Sequence, residues 1–323
     1  MSVVIYSNCI GTFVFKDKVL AEEKLFKRPE LLENNKLLEK GETLDAESGF
    51  LKKYAGAELV GKKNVAPSWV LAFFNAEEYR NKISDSTMIV TKRKVAESLR
   101  PEHLIIQVSN NMDEIDKAVN MLSKRLRDWY ELYNPEFSKS LDDHEKFVEL
   151  LQEKSKKELL KEVGVSESES MGAELSKEDL EPMMNLAAQI TALYGLREKH
   201  AAHIEKMMEK HVPNVTAVSG PNIGAKLLAI AGSLERMALF PASTIQLLGA
   251  EKALFRHIKT GAKPPKFGVI INHPVVAKAK SADKGKAARM LADKISIASK
   301  IDYFKGDFIG DRLKKEVEAK FPS

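Results

Sequence analysis

At 323 residues and 36.1 kDa the chain has room for two or three domains and a sizeable core, and its 44% hydrophobic and 30% charged residues are ordinary for a soluble protein. Cys9 is the only cysteine, which excludes an intrachain disulfide and a cysteine zinc cluster and fits a reducing compartment. The net charge of +5 is unevenly spread: residues 213–323 carry 19 Lys and Arg against 9 Asp and Glu, while residues 1–212 carry 32 against 37, so the two regions are expected to meet different partners.

No uninterrupted apolar stretch of about 18 residues occurs, and Met1 to Phe15 lacks a basic leader, so neither a membrane span nor a targeting segment is expected. Val3–Tyr6 and Thr12–Phe15 are β-branched and aromatic runs around a turn at Ser7–Gly11, which predicts a hairpin. A helix is expected from Pro29 through Leu31, Leu32, Leu37 and Leu38 to a stop at Gly41, and another after Pro67 carrying Trp69, Val70, Phe73 and Phe74. His103–Val108 suits a strand or the start of a helix, and periodicity does not decide. Residues 1–112 thus read as a small α/β domain with no phosphate loop and no catalytic cluster.

From Asp113 the period is helical, with Ile115, Val119, Leu122, Leu126, Trp129 and Tyr133 predicted as a buried stripe. One charged helix is expected after Asn134-Pro135, through Phe147, Leu150, Leu151, Leu159 and Leu160, then a polar loop at Gly164 to Ser170. A long helix follows, capped by Ser176 with Asp179 three residues on. Its heptad positions hold Met183, Ala187, Ile190, Tyr194, Arg197, Ala201, Ile204, Met208 and His211. Two long amphipathic segments joined by a polar loop predict an antiparallel helical hairpin over 113–212. It packs either on itself alone or also against a second copy, with Met183, Ile190, Tyr194, Ala201, Ile204 and Met208 as the candidate dimer seam. His200 with His203, or His203 with His211, falls on a shared helix face, but no carboxylate or cysteine completes a metal-ligand spacing, and no metal is expected.

Residues 213–323 read as an all-helical module. Ser219–Gly224 opens a small-residue helix expected to run from Ala225 to Leu239. Gly224-Ala225-Lys226 superficially resembles a phosphate loop, but Leu227 stands where Ser or Thr would hold magnesium. A helix-hairpin-helix turn, whose glycine-bearing hairpin offers N–H groups to phosphates, is the alternative for the local geometry.

The stretch Gly249–Gly261 predicts one compact helix closed by Gly261 and by Pro264-Pro265 beyond. Lys252, Arg256 and Lys259 fall on one face, and Ala250, Leu254 and Ile258 on an opposite face expected to pack. The basic character continues through Lys263, Lys266, Lys278, Lys280, Lys284, Lys286 and Arg289, opposed from 249 to 289 only by Glu251 and Asp283. Such an imbalance suits a polyanion, and an ordinary solvated lysine face is the alternative.

The order Gly249–His257, Gly261–Lys266 and His273-Pro274 resembles the signature of the Nop domain found in scaffold proteins of box C/D guide ribonucleoproteins. Ile115–Lys117, Arg125–Tyr130, Pro135-Glu136, Ser170–Ala173, Asp179-Leu180 and Ser219–Gly224 extend the resemblance over most of the chain. It implies an α+β protein: a small N-terminal α/β domain at 1–112 that binds the methyltransferase fibrillarin, a long antiparallel coiled coil at 113–212 that forms a homodimer, and an all-α Nop domain at 213–323. The last would grip a box C/D guide RNA whose kink-turn carries a small kink-turn-binding protein. Lys252, Arg256, His257, Lys259, Lys263, Lys266, Asn222, Lys226, Lys286 and Arg289 become the expected RNA-binding residues. The resemblance implies a scaffold in RNA-guided 2′-O-methylation, with no catalytic residues, cofactor or membrane, cytoplasmic in an archaeal-type cell and nucleolar in a eukaryotic one. A spliceosomal Nop-domain protein should lack the β-rich start at Val3–Phe15. A nucleic-acid enzyme using His257 with Glu251, or His273, is the remaining alternative, although residues six apart share a helix face badly.

Overall fold

The computed structural model of the chain describes residues 2–62 and 65–321. It forms two compact units, 1–99 and 100–323, and the fold is α+β. The first unit runs β1 (Val3–Asn8), β2 (Gly11–Lys16), β3 (Val19–Leu25), α1 (Arg28–Lys40), α2 (Asp45–Lys53), β4 (Glu58–Val60), α3 (Ser68–Phe73) and α4 (Glu77–Glu97). The sheet order is β3-β2-β1-β4, with β1 antiparallel to β2 and parallel to β4. Asn8 Oδ1 accepts from Ile10 N at 3.0 Å and shapes the predicted hairpin turn. Strand β2 is central and buried. Its Phe13 and Phe15 meet Phe74, Phe73 and Trp69 edge to face at 4.8, 5.1 and 5.4 Å, so the two aromatic runs that flank this unit in sequence form one core.

The second unit begins with α5 (Pro101–Tyr130), followed by α6 (Pro135–Ser140), α7 (His144–Glu153), α8 (Lys156–Val163) and α9 (Lys177–His211). His103–Val108 is helical, and the boundary expected between 112 and 113 falls inside α5. The single charged helix expected after Pro135 is three short ones. Asp143 accepts from Glu145 N and Lys146 N, and Ser155 caps α8, so each polar cap ends one helix and starts the next. Arg127 holds these pieces to α5: its guanidinium donates to Ser138 O at 2.9 Å, Asp143 O at 2.9 Å and His144 Nδ1 at 2.8 Å, and lies 4.3 Å over the Phe147 ring.

Helices α5 and α9 pack antiparallel, with Asn111 beside His200 at 2.8 Å and Asp116 accepting from Arg197 at 2.5 Å. Ile115, Val119 and Leu126 are buried and Leu122 half-buried, but Trp129 is exposed and Ser123 and Tyr130 are buried, Tyr130 on the aromatic cluster with Phe137 and Phe147. The expected dimer seam is used within one chain. Met183, Ile190, Ile204 and Met208 are buried among residues of their own chain, Met183 and Ile190 with α5 and α7, Ile204 and Met208 with α5 and α11 (Pro221–Ala231), while Tyr194 and Ala201 are half-buried.

Beyond α9 come α10 (Pro213–Ser219), α11, α12 (Leu234–Leu239), α13 (Ala242–Leu247), α14 (Glu251–Thr260), a 3₁₀ turn at Val269–Asn272, α15 (Pro274–Ala277), α16 (Lys284–Tyr303) and α17 (Gly310–Lys320). The helix expected from Ala225 to Leu239 is broken, because Gly232 takes a φ of +86° and Ser233 caps α12 by accepting from Arg236 N at 3.1 Å. Helix α16 is the axis of this part. Its buried Ala287, Ala288, Ala292 and Ala298, with Leu291 and Ile295, let α10, α12 and α13 approach closely. Among the described residues no helix is long and apolar enough to cross a membrane.

Candidate nucleic-acid interface

Helix α14 is an excursion from this core. The chain leaves after Leu248 and returns beside it: Gln246 Nε2 donates to Lys266 O at 2.6 Å, Gly268 N to Gln246 O at 2.8 Å and Val269 N to Leu248 O at 2.8 Å. The return is so close that a Cβ on Gly268 would stand 1.9 Å from Leu248 O. At the start of α14, Glu251 Oε1 accepts from Gly249 N at 2.7 Å; at its end Gly261, with φ +69°, donates to His257 O at 2.9 Å.

Lys252, Arg256 and Lys259 are exposed along one face, as expected. The opposite face does not pack. No residue of α14 is buried, Leu254 is only half-covered, and Phe255 and Ile258 are 69% and 73% exposed. The expectation of a packed face fails because an excursion anchored at both ends needs no core contact of its own. The helix therefore presents cations and apolar side chains together.

A second basic surface lies on the core below. A groove of about 1220 Å³ runs between α13, the first half of α16 and the end of α17. Lys266, Lys286, Arg289, Lys294 and Lys320 line it with Leu247, Met290 and Phe321, and Asp293 is the acidic residue among them. Lys286 pairs with Asp283 at 3.1 Å and Lys294 with Glu316 at 2.6 Å. Among the described residues Lys252, Arg256, Lys259, Lys263, Lys266 and Arg289 have no carboxylate within ion-pair distance, so their charge is available to a polyanion. Lys294, Lys320 and Phe321 were not among the residues expected from sequence. The spacing of Lys286, Arg289 and Asp293 opposite the buried Ala288, Leu291, Ala292 and Ile295 marks the outer face of α16, but the α17 residues join it only through the fold.

Three expected RNA-binding residues stand differently. Lys226 Nζ pairs with Asp113 at 2.7 Å and ties α11 to α5, because the small-residue face of α11 packs against that helix. Asn222 is exposed in the first turn of α11 and is no part of the groove. His257 is half-buried with Nδ1 against the Ala262 carbonyl, which leaves Nε2 as the ring atom open to a ligand. His273 caps α15, its Nδ1 accepting from Val275 N at 3.3 Å, and burial holds its pKa below the usual histidine range against an opposing hydrogen bond to the Val218 carbonyl. Glu251, His257 and His273 each serve a backbone group, and none is paired with another as acid and base.

A family model described as "Nop: snoRNA binding domain, fibrillarin" matches residues 111–323. An uncharacterized NOP5 family protein of Methanocaldococcus jannaschii is 37% identical over 272 residues, covering 77% of this chain and 66% of that protein. Mouse nucleolar protein 56 is 34% identical over 240 residues, covering 68% of this chain and 41% of its own length. Nucleolar protein 58 of Aspergillus fumigatus is 38% identical over 213 residues, 62% and 36% of the two chains. The chain thus spans under two thirds of the length of these relatives in the nucleolar group and 66% of the archaeal one. A solved structure described as a crystal structure of the fibrillarin/Nop5p complex overlaps 98% of each chain at 25% identity, with a TM-score of 0.45, an overlap too loose to carry an argument. The family model alone covers well over half of the sequence and contains both basic surfaces, and the chain belongs to the Nop family.

Proposed function

We propose that this protein is a non-catalytic scaffold of a box C/D particle for RNA-guided 2′-O-methylation. The unpaired cations of α14 and of the groove carry the reading, since two basic surfaces on one +10 module suit the phosphates of a folded RNA. In this reading α14 and the groove hold box C/D guide RNA already carrying the small kink-turn-binding protein, and the first unit holds fibrillarin. The family description, which names snoRNA binding and fibrillarin, supports the RNA and the methyltransferase as partners. The four-stranded sheet favours this over a spliceosomal relative without a fibrillarin-holding domain. A homodimer through the helical hairpin is retained with a changed surface. Since Met183, Ile190, Ile204 and Met208 are enclosed, a second copy would meet outward residues such as Met121 and Leu196, both exposed.

The test is reconstitution. The purified chain, fibrillarin, the kink-turn protein and a box C/D RNA should elute together from a sizing column, and Leu196→Glu should reduce the mass by releasing a copy while RNA binding persists. RNA that elutes without the wild-type chain would sink the reading.

A further inference from the structure

The groove between α13, α16 and α17 is more than a phosphate cradle, because one side chain on its wall repels phosphate. Asp293 stands there exposed, and among the described residues it has neither an ion pair nor a hydrogen bond. The cations around it do not answer it. Lys286 pairs with Asp283 at 3.1 Å and Lys294 with Glu316 at 2.6 Å. Arg289 lies one turn earlier on the same helix, but a cation four residues before an acid is the weaker order of such a pair, and the two do not come within ion-pair distance. An acid left free in this way lowers the affinity of its groove for a pure polyanion, so the fit is to a ligand that carries phosphate and also donates hydrogen bonds.

Lys286, Arg289, Met290 and Asp293 share the outer face of α16, and Lys286 precedes Asp293 by about 10 Å along the axis. That is the reach from the phosphate of a nucleotide to the far edge of its purine. The first turn of α16 holds no acidic side chain, so the positive pole of the helix adds to Lys286 at the phosphate end. Between the two ends the half-buried Leu247, Met290 and Phe321 give a flat base an apolar surface to lie on. The carboxylate then selects the base, since it only accepts. Guanine sets N1–H and an N2–H side by side on its Watson–Crick edge, two donors for two oxygens. Adenine and cytosine put a ring acceptor beside their amino group, and uracil flanks its one N–H with two carbonyls, so each turns a lone pair toward the acid. That edge is open only in a guanosine that is not base-paired.

We infer that the groove reads an unpaired guanosine of the bound RNA: Asp293 accepts from its Watson–Crick edge while Lys286 and Arg289 hold the adjoining phosphates. The inference rests on the proposed RNA role of the groove and adds a base to it. Asp293→Asn, on the exposed face of α16, gives a test by sign. Removing an acid from a basic surface ordinarily tightens RNA, whereas here the full chain should bind box C/D RNA about tenfold more weakly, the loss of one bidentate base contact. The second arm uses mononucleotides and follows the Met290 methyl signal of the full chain by NMR. Guanosine monophosphate should bind about tenfold more tightly than inosine monophosphate, which lacks the N2 amino group, and than adenosine monophosphate. In Asp293→Asn that lead should vanish, while inorganic phosphate binds as well as before or better. Equal binding of the three nucleotides, a Met290 signal unmoved by guanosine monophosphate, or RNA held as tightly or more tightly by Asp293→Asn overturns the inference and leaves the scaffold reading standing. A guanine preference with unchanged RNA affinity also overturns it, and assigns the groove to a free guanine nucleotide. Box C/D RNA that elutes apart from the wild-type chain removes the scaffold reading, and this inference with it.

Discussion

Asn214 donates to Asp302 Oδ1 twice, from its backbone nitrogen at 3.1 Å and from its side-chain amide at 2.8 Å. Asp302 Oδ2 accepts from Val215 N at 2.9 Å, and Asn214 Oδ1 in turn accepts from Ile309 N at 2.7 Å. One carboxylate on α16 thus caps α10, and the capped residue fixes the loop into α17. Burial pushes the Asp302 carboxyl above its ordinary range despite these three donors, so desolvation outweighs them. The group taken alone favours the fold most below its unfolded pKa, and that advantage is lost as pH rises through the raised value.

Asp302→Ala should nonetheless destabilise the second unit, because it leaves the buried Asn214 amide and the Val215 N–H without acceptors. The expected loss is roughly 2–3 kcal/mol, measured by urea unfolding. A change within experimental error would mean that solvent replaces the carboxylate at no cost.

His144 makes the end of the helical hairpin sensitive to acid. Burial, then the Arg127 and Lys124 charges, hold its pKa below the ordinary 6.5 against the pull of Asp143, and its neutral Nδ1 accepts from Arg127. For a depressed histidine the contribution is full above the unfolded pKa and declines as pH falls through it toward the folded value. Melting curves between pH 7.5 and pH 5 should therefore show the wild type losing stability faster than His144→Asn. Parallel slopes would dismiss the coupling.

Helix α14 separates binding from stability. Lys252→Ala with Arg256→Ala should lower the salt-dependence slope of RNA binding by about 0.7–0.9 for each phosphate contact removed, while stability stays within about 0.5 kcal/mol of wild type. Leu254→Asp should leave the module folded as well, since that side chain is only half-covered, whereas Leu227→Asp in the core should unfold it. Chemical denaturation beside a salt titration distinguishes the two surfaces.

Gly268→Ala tests the anchorage. Its Cβ would collide with the Leu248 carbonyl, and backbone cannot rotate aside as a side chain can. Overpacking of this kind costs typically 1–3 kcal/mol. The expected outcome is a displaced return strand, with RNA affinity reduced although every cation remains; full affinity would show that α14 holds its place without it.

Local chemistry was readable from the chain, and assembled chemistry was not. Gly41, Ser176 and Gly261 mark helix ends because a cap is decided by the few residues around it. Asp143 and Ser155 are caps of the same kind, hidden within a run of helix-favouring charges. Tyr130 and Trp129 are adjacent aromatics, and only the position of Phe137 and Phe147 settles which one is buried. The basic face of α14 follows from spacing, but the exposure of Ile258 does not, since amphipathic order states what could pack and not whether a surface arrives to pack with it. Lys226 counts as a free cation until Asp113, far away in sequence, is brought to it. The groove needed three helices to meet, and no single stretch records that.

The closeness of Lys266, Gly268 and Val269 to Gln246 and Leu248 makes the intervening segment a replaceable part. Because its two ends are already joined by backbone hydrogen bonds, mutations between them leave the alanine-lined axis of α16 undisturbed, and drift there alters what is recognised without endangering what is folded. A designer could transplant a foreign segment between Leu248 and Lys266, and evolution has the same freedom to vary that segment on one chassis.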